Sequence, residues 1–205
     1  MKTMKNKLFN SIQFSDYVKT HLHSIDSKVK ALKNYNFENS TIDEITEKYY
    51  NEFNIVLPVL DIDGTTMSKT EDCKVASNWQ RAYDKVNTVD GTRFTFYIPF
   101  TGDYKLFSTI PFKHSTGEID GEVELKKIKI EYEISVEKVS EGTEQIKKDL
   151  KKNTGKIKTH LEYLEIETKR YNDNLKTIIK NALKKRKIKL DQDDDAANSL
   201  GFPIQ

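Results

Sequence analysis

The sequence predicts an α+β fold with N-terminal helices, an antiparallel β-sheet and a long, heptad-patterned C-terminal helix. Three observations predict it. Apolar residues recur at helical spacing through the first fifty or so residues. The middle of the chain holds successive strand-like runs with no helical stretch between them, which favours antiparallel pairing. Beyond residue 140 an apolar residue returns every seven positions.

In the first part, Phe14, Val18, Leu22, Ile25, Val29 and Leu32 fall on one face of a helix. Asn34 to Asn39 reads as a break. Thr41 and Glu44 then form a capping box, in which the hydroxyl accepts from a backbone N–H and the carboxylate reaches back. A second helix over about Ile42 to Phe53 comes next, with Ile45, Tyr49 and Phe53 on one side. In the middle part, VLPVLDI, TRFTFYIPF and GEIDGEVELKKIKIEYEIS have strand character. Ile128, Ile130, Tyr132, Ile134 and Val136 alternate with polar residues, so one face is buried and one is wet. Val123 and Leu125 are out of phase with that run, and a bulge at Lys126-Lys127 would restore it. Asp90-Gly91, Thr101-Gly102-Asp103 and Asp120-Gly121 read as turns. In the last part, Leu150, Ile157, Leu164, Tyr171 and Ile178 form one row of the repeat. Thr154, Leu161, Thr168, Leu175 and Ala182 form its companion. The seam needs cover, either from the N-terminal helix folded alongside or from a second copy of the chain.

The organisation expected is therefore N-terminal helices over 1–54, the sheet over 55–139, the long basic helix over 140–190, and an acidic then apolar tail over 191–205. Leu200, Phe202 and Ile204 are apolar near the end of the chain, where a solvated terminus has no use for them, so a further domain is expected beyond them.

Composition narrows the function classes. A single cysteine, Cys73, allows no internal disulfide and argues against a thiolate metal site. No long apolar stretch marks an export signal or a membrane span, so a cytoplasmic protein with no membrane partner is expected. The net charge is only +2, but residues 141–190 carry 15 basic against 7 acidic side chains. Lys184, Lys185, Arg186, Lys187 and Lys189 are the candidate nucleic-acid contacts, since clustered cations can grip phosphates. The same cations also suit a helix C-terminus, where they oppose the helix dipole. No glycine-rich phosphate loop, nucleophile elbow or chelating pair is present, and no cofactor or metal is expected. The histidines at 21, 23, 114 and 160 are scattered, and His21 and His23 point apart on their helix.

Two short motifs suggest catalysis. Asp61-Ile62-Asp63-Gly64-Thr65, after an apolar run, resembles the opening motif of the haloacid-dehalogenase-like phosphohydrolases. That resemblance implies a nucleophilic Asp61, an acid–base Asp63 and a magnesium ion. It also requires a central parallel strand before the motif and alternating strands and helices after it. Pro58 within the preceding run opposes the first requirement, and the antiparallel character of the later strands opposes the second. Glu165-Ile-Glu167-Thr-Lys169 resembles the Glu-x-Lys of restriction-type nucleases, but it lies in the heptad helix, where positions two apart diverge.

Residues 94–125 carry a broader pattern: Pro99-Phe100-Thr101-Gly102-Asp103, then Leu106-Phe107, Pro111 and Gly117-Glu118. With the long charged helix and the Leu200-Gly201-Phe202-Pro203 turn, this resembles a group of uncharacterised bacterial proteins. Some members of that group continue into a nuclease-like C-terminal domain. The resemblance brings no catalytic residues with it. The resulting expectation is a non-catalytic sensor, docking or oligomerisation module of a bacterial, defence-associated protein. Its partner would be a protein, or a second copy bound through the long helix. The alternatives are a nucleic-acid-binding accessory module and a magnesium-dependent phosphohydrolase.

Overall fold

The computed structural model describes residues 7–76, 88–112 and 119–200, with the backbone alone for 140 and 141. In chain order the elements are β1 (Lys7–Leu8), β2 (Ile12–Gln13), α1 (Phe14–Lys30), α2 (Asn34–Glu38), α3 (Ile42–Phe53), β3 (Val59–Leu60), β4 (Thr66–Met67) and β5 (Glu71–Ala76). β6 (Thr88–Thr101) leads into a 3-10 turn over Tyr104–Ser108, then β7 (Thr109–Ile110), β8 (Ile119–Asp120), β9 (Glu122–Glu124), β10 (Lys127–Ser135) and α4 (Val139–Ser199). The architecture is α+β. The chain folds as two units, one from residues 1–13 and 57–165, the other from 14–56 and 166–205.

In the first unit, β6 is the spine of a six-stranded antiparallel sheet. β10 lies along one side of it, from Lys127 opposite Pro99 to Ser135 opposite Gly91. On the other side β3, β4 and β5 succeed one another as a single interrupted edge. Val59 pairs with Thr101, Thr66 with Tyr97 and Glu71 with Arg93. Each interruption inserts extra residues on the outer strand, as a bulge does. Two small pairings flank this sheet: β1 with β8, antiparallel, and β2 with β7, parallel. Residues 7–8 and 12–13, expected among the N-terminal helices, are thus short strands.

Register assigns the faces. Ile128 lies opposite Ile98, Ile130 opposite Phe96 and Tyr132 opposite Phe94, which gives the sheet an apolar face. The opening turns of α4 meet it: Gly142 approaches so closely that an added Cβ would lie 2.6 Å from Ile134 Cδ1, and Asn153 donates to the Tyr132 hydroxyl at 2.9 Å. Phe9, at φ 55°, sends its ring onto His160 at 4.5 Å, and Phe107 packs edge-on to both Phe9 and Phe100. Ile98, Leu106, Phe107, Ile128 and Ile157 are wholly buried. Burial of a side chain this size stabilises by about 1.5–3 kcal/mol.

Asp90-Gly91 is not a turn but lies inside β6. Glycine is needed there because a Cβ would sit 2.7 Å from the Ile134 carbonyl oxygen on β10. The phase slip before β10 is likewise not a bulge. Glu124 pairs with Lys127 and Val123 with Ile128, so Leu125-Lys126 is the two-residue turn of a hairpin.

In the second unit the seam of α4 packs against α1 and α3. The capping box of α3 is present: Glu44 N–H donates to the Thr41 hydroxyl and Thr41 N–H to the Glu44 carboxylate, at 3.2 and 2.7 Å. The backbone donation from Thr41 holds the Glu44 carboxyl below its ordinary pKa. α1 buries Phe14, Tyr17, Ile25 and Val29, with Val18 and Leu22 only half-covered. His21 lies among Tyr17, Phe53 and Tyr171. Asn172 clamps the backbone after α3, accepting from Ile55 N–H at 3.0 Å and donating to its carbonyl at 2.8 Å.

α4 extends past the expected end, through the acidic run to Ser199. Lys187 pairs with Asp191 and Lys189 with Asp193, each one turn apart, and this spacing supports the helix. The heptad seam holds through Leu164, Thr168, Tyr171 and Leu175, all buried. It then shifts by one residue: Ile179 and Leu183 are fully buried, whereas Ile178 is 37% exposed. A straight helix drifts against a seven-residue repeat, and the shift matches that drift.

Candidate docking surface

Asp61 to Thr65 form the loop between β3 and β4, on an antiparallel edge. The Asp61 carboxylate accepts from Gly64 N–H at 2.9 Å, and the Thr65 hydroxyl donates to the Ile62 carbonyl at 2.6 Å. A Cβ at Gly64 would lie 2.2 Å from Asp61 Oδ2, so the carboxylate fills its own turn. The central parallel strand that the phosphohydrolase reading needs is not what precedes this motif. Among the described residues, no group of three or more His, Cys, Asp or Glu side chains is placed to hold a metal. Glu165, Glu167 and Lys169 lie on α4, as the seam predicts. His114 falls outside the described residues.

The pattern over residues 94–125 is structural wherever it is described. Gly102 has φ 90°, and a Cβ there would stand 2.5 Å from the Leu57 carbonyl oxygen. Asp103 caps the 3-10 turn by accepting from Lys105 N–H at 3.0 Å. Leu106 and Phe107 are wholly buried, and Pro111 is buried. Thr101-Gly102-Asp103 is therefore a tight turn closed against β3. Gly117-Glu118 and Gly201-Phe202-Pro203 lie outside the described residues.

The five candidate cations lie ten or more residues before the end of α4, inside the helix and not at its C-terminus, and they separate. Arg186 donates from Nε and Nη2 to the Leu32 carbonyl at 3.0 and 2.8 Å, closing the end of α1. Lys187 and Lys189 are paired with Asp191 and Asp193. Lys184 and Lys185 are exposed. Nearer the middle of the same helix, Lys180 pairs with Asp43 at 2.6 Å and holds that carboxyl below its ordinary pKa.

The polar face of the sheet is also self-paired. Arg93 donates to Glu133 from Nε and Nη2 at 3.0 and 2.8 Å. Lys129 sits 3.1 Å from Glu131 and 3.5 Å from Glu124. These hydrogen bonds raise the pKa of both cations. Burial pushes the Cys73 thiol up, which disfavours the reactive thiolate.

Among the described residues, one group of exposed apolar side chains lies at an end of the sheet. Phe100 N–H donates to the Lys126 carbonyl at 3.0 Å, so the β9–β10 turn abuts the end of β6. Leu125 at that turn is 94% exposed and has φ 52°. Val59, opposite Thr101, is 65% exposed, and Tyr104, just beyond Gly102, is 55% exposed. The sequence pattern alone puts Leu125 on a strand. The clue to the turn is the pair Val123 and Ile128, equidistant from the Leu125-Lys126 link, with Glu and Lys alternating on both arms.

A scan of protein-family models, a search of curated proteins and a search of solved structures each found no match to this chain. Among the described residues, no helix is long and apolar enough to cross a membrane.

Proposed function

We propose that this chain is a non-catalytic docking module that engages a protein partner through the β9–β10 hairpin tip. The observation that carries this is Leu125. A leucine in the left-handed region costs roughly 1–2 kcal/mol relative to glycine, and its exposure adds nothing to the fold. Asn-Gly or Asp-Gly would suit such a turn without strain. An apolar side chain held in that conformation supports a role in filling a partner's pocket. Exposed Glu124 precedes it and exposed Lys126 and Lys127 follow it, which favours a pocket whose rim carries both signs of charge. The paired charges elsewhere on the sheet and the self-capped Asp61 support a binding rather than a catalytic role. The seam of α4 supports docking over seam-mediated oligomerisation, because Ile157, Leu164 and Leu175 are covered within the chain. A bacterial, defence-associated setting is the part of this proposal that the signature over 94–125 suggests.

The test places a photo-crosslinking amino acid at position 125 in cells and isolates the adduct. The expected result is one discrete partner, whose binding to the purified chain falls at least tenfold with Leu125→Asn while the melting temperature holds or rises. Magnesium-dependent hydrolysis of a phosphoester, abolished by Asp61→Asn, would overturn the reading.

A further inference from the structure

A second basic run lies near the start of α4, away from the candidate cations at 184–189. Lys147, Lys148, Lys151, Lys152, Lys156 and Lys158 fall within about three turns, against the single acid Asp149. Helical geometry puts Lys148, Lys151 and Lys152 on the side away from the buried Ile146, Ile157 and Leu161, with Lys147 and Lys158 along its margin. All five are exposed. Lys147 has a surface partner, Glu144 at 2.7 Å, and such pairs hold weakly. Lys148, Lys151, Lys152 and Lys158 have no carboxylate partner among the described residues. Asp149 lies off this line and accepts from Gln145 at 3.1 Å. At the centre of the line stands Gly155. It is exposed, and an added Cβ would meet nothing within 4 Å. Neither packing nor a left-handed backbone calls for glycine there, and its effect is to leave the helix backbone bare between lysines.

We propose that this face binds the phosphate backbone of duplex nucleic acid without reading sequence. The line is about 17 Å long at the helical rise of ~1.5 Å per residue. It offers point charges on flexible stems and neither aromatic rings nor guanidinium forks, so it suits phosphates rather than bases. The bare glycine lets a sugar-phosphate strand settle against the helix between flanking lysines. An anionic membrane would call for apolar side chains beside the cations, and the exposed ridge from Lys147 to Lys158 carries none. The site stands independently of the hairpin tip.

Fluorescence anisotropy of the full chain with labelled DNA and RNA duplexes of one mixed sequence tests this. At 50 mM salt both duplexes bind, and affinity falls on the order of several hundred-fold by 200 mM, the slope expected for about five phosphate contacts. The triple variant Lys148→Glu, Lys151→Glu, Lys152→Glu loses roughly thirtyfold or more at 50 mM, whereas Lys184→Glu with Lys185→Glu loses less than about threefold. The milder triple Lys→Gln variant guards against a folding defect and keeps the same order. The proposal is overturned by absence of duplex binding at 50 mM salt. It is equally overturned if a normally folded triple variant binds like wild type, if both variants lose affinity alike, or if anionic vesicles are retained and duplexes are not.

Discussion

Two glycines with opposite reasons for being there make a residue-scale test. Gly102 occupies φ 90° with the Leu57 carbonyl against it, so any side chain meets both backbone strain and a clash. Gly155 lies inside a helix with open space around it and carries the full entropic penalty of glycine with no return in packing. Gly155→Ala is therefore expected to raise the unfolding free energy by about 0.5–1 kcal/mol, and Gly102→Ala to lower it by more than that. Denaturant melts of the two variants check the signs. A loss of stability in Gly155→Ala would mean that the position has a packing role the structure does not contain.

Elements differ in how far the sequence specifies them. The α3 start is fully legible, because Thr41 and Glu44 satisfy each other locally and need no tertiary help. The α4 seam is legible to Leu175 and then fails, since a straight helix drifts against a seven-residue repeat and carries the buried face on to Ile179 and Leu183. Ile179→Ala is accordingly expected to cost about 2–5 kcal/mol and Ile178→Ala less than about 1, by equilibrium unfolding; the reverse order would restore the strict heptad. The edge formed by β3, β4 and β5 is only partly legible. Its insertions break the period-two pattern, and although β5 alternates, with half-buried Cys73 and Val75 between exposed neighbours, that alternation is too short to stand out. The acidic run at 191–195 reads as tail in the sequence because its support comes from lysines one turn upstream. Of the candidate site, the basic character of α4 is visible and its pairing is not: which cations are engaged by Asp191, Asp193 and the Leu32 carbonyl depends on where helices end and what lies beside them.

For the molecule as a whole, alkali is a more informative stress than salt. Burial raises the Tyr171 phenol to about 12, and Tyr49 and Tyr132 are raised for the same reason. A raised folded-state value favours the neutral form, so this contribution is intact below the ordinary tyrosine value of about 10 and is lost as pH climbs towards 12. Stability measured across that window should fall, and Tyr171→Phe should flatten the fall; an unchanged slope would count against the buried phenol as its source. The interleaved path of the chain has a consequence for biosynthesis. Ile55 and the Asn172 that clamps it are 117 residues apart. On a ribosome, α1 to α3 emerge long before the stretch of α4 that covers their apolar sides, so the nascent chain must keep these apolar helix faces from other contacts until that stretch has been made. A circular permutant joining 166–200 directly to 14–56 would remove that wait.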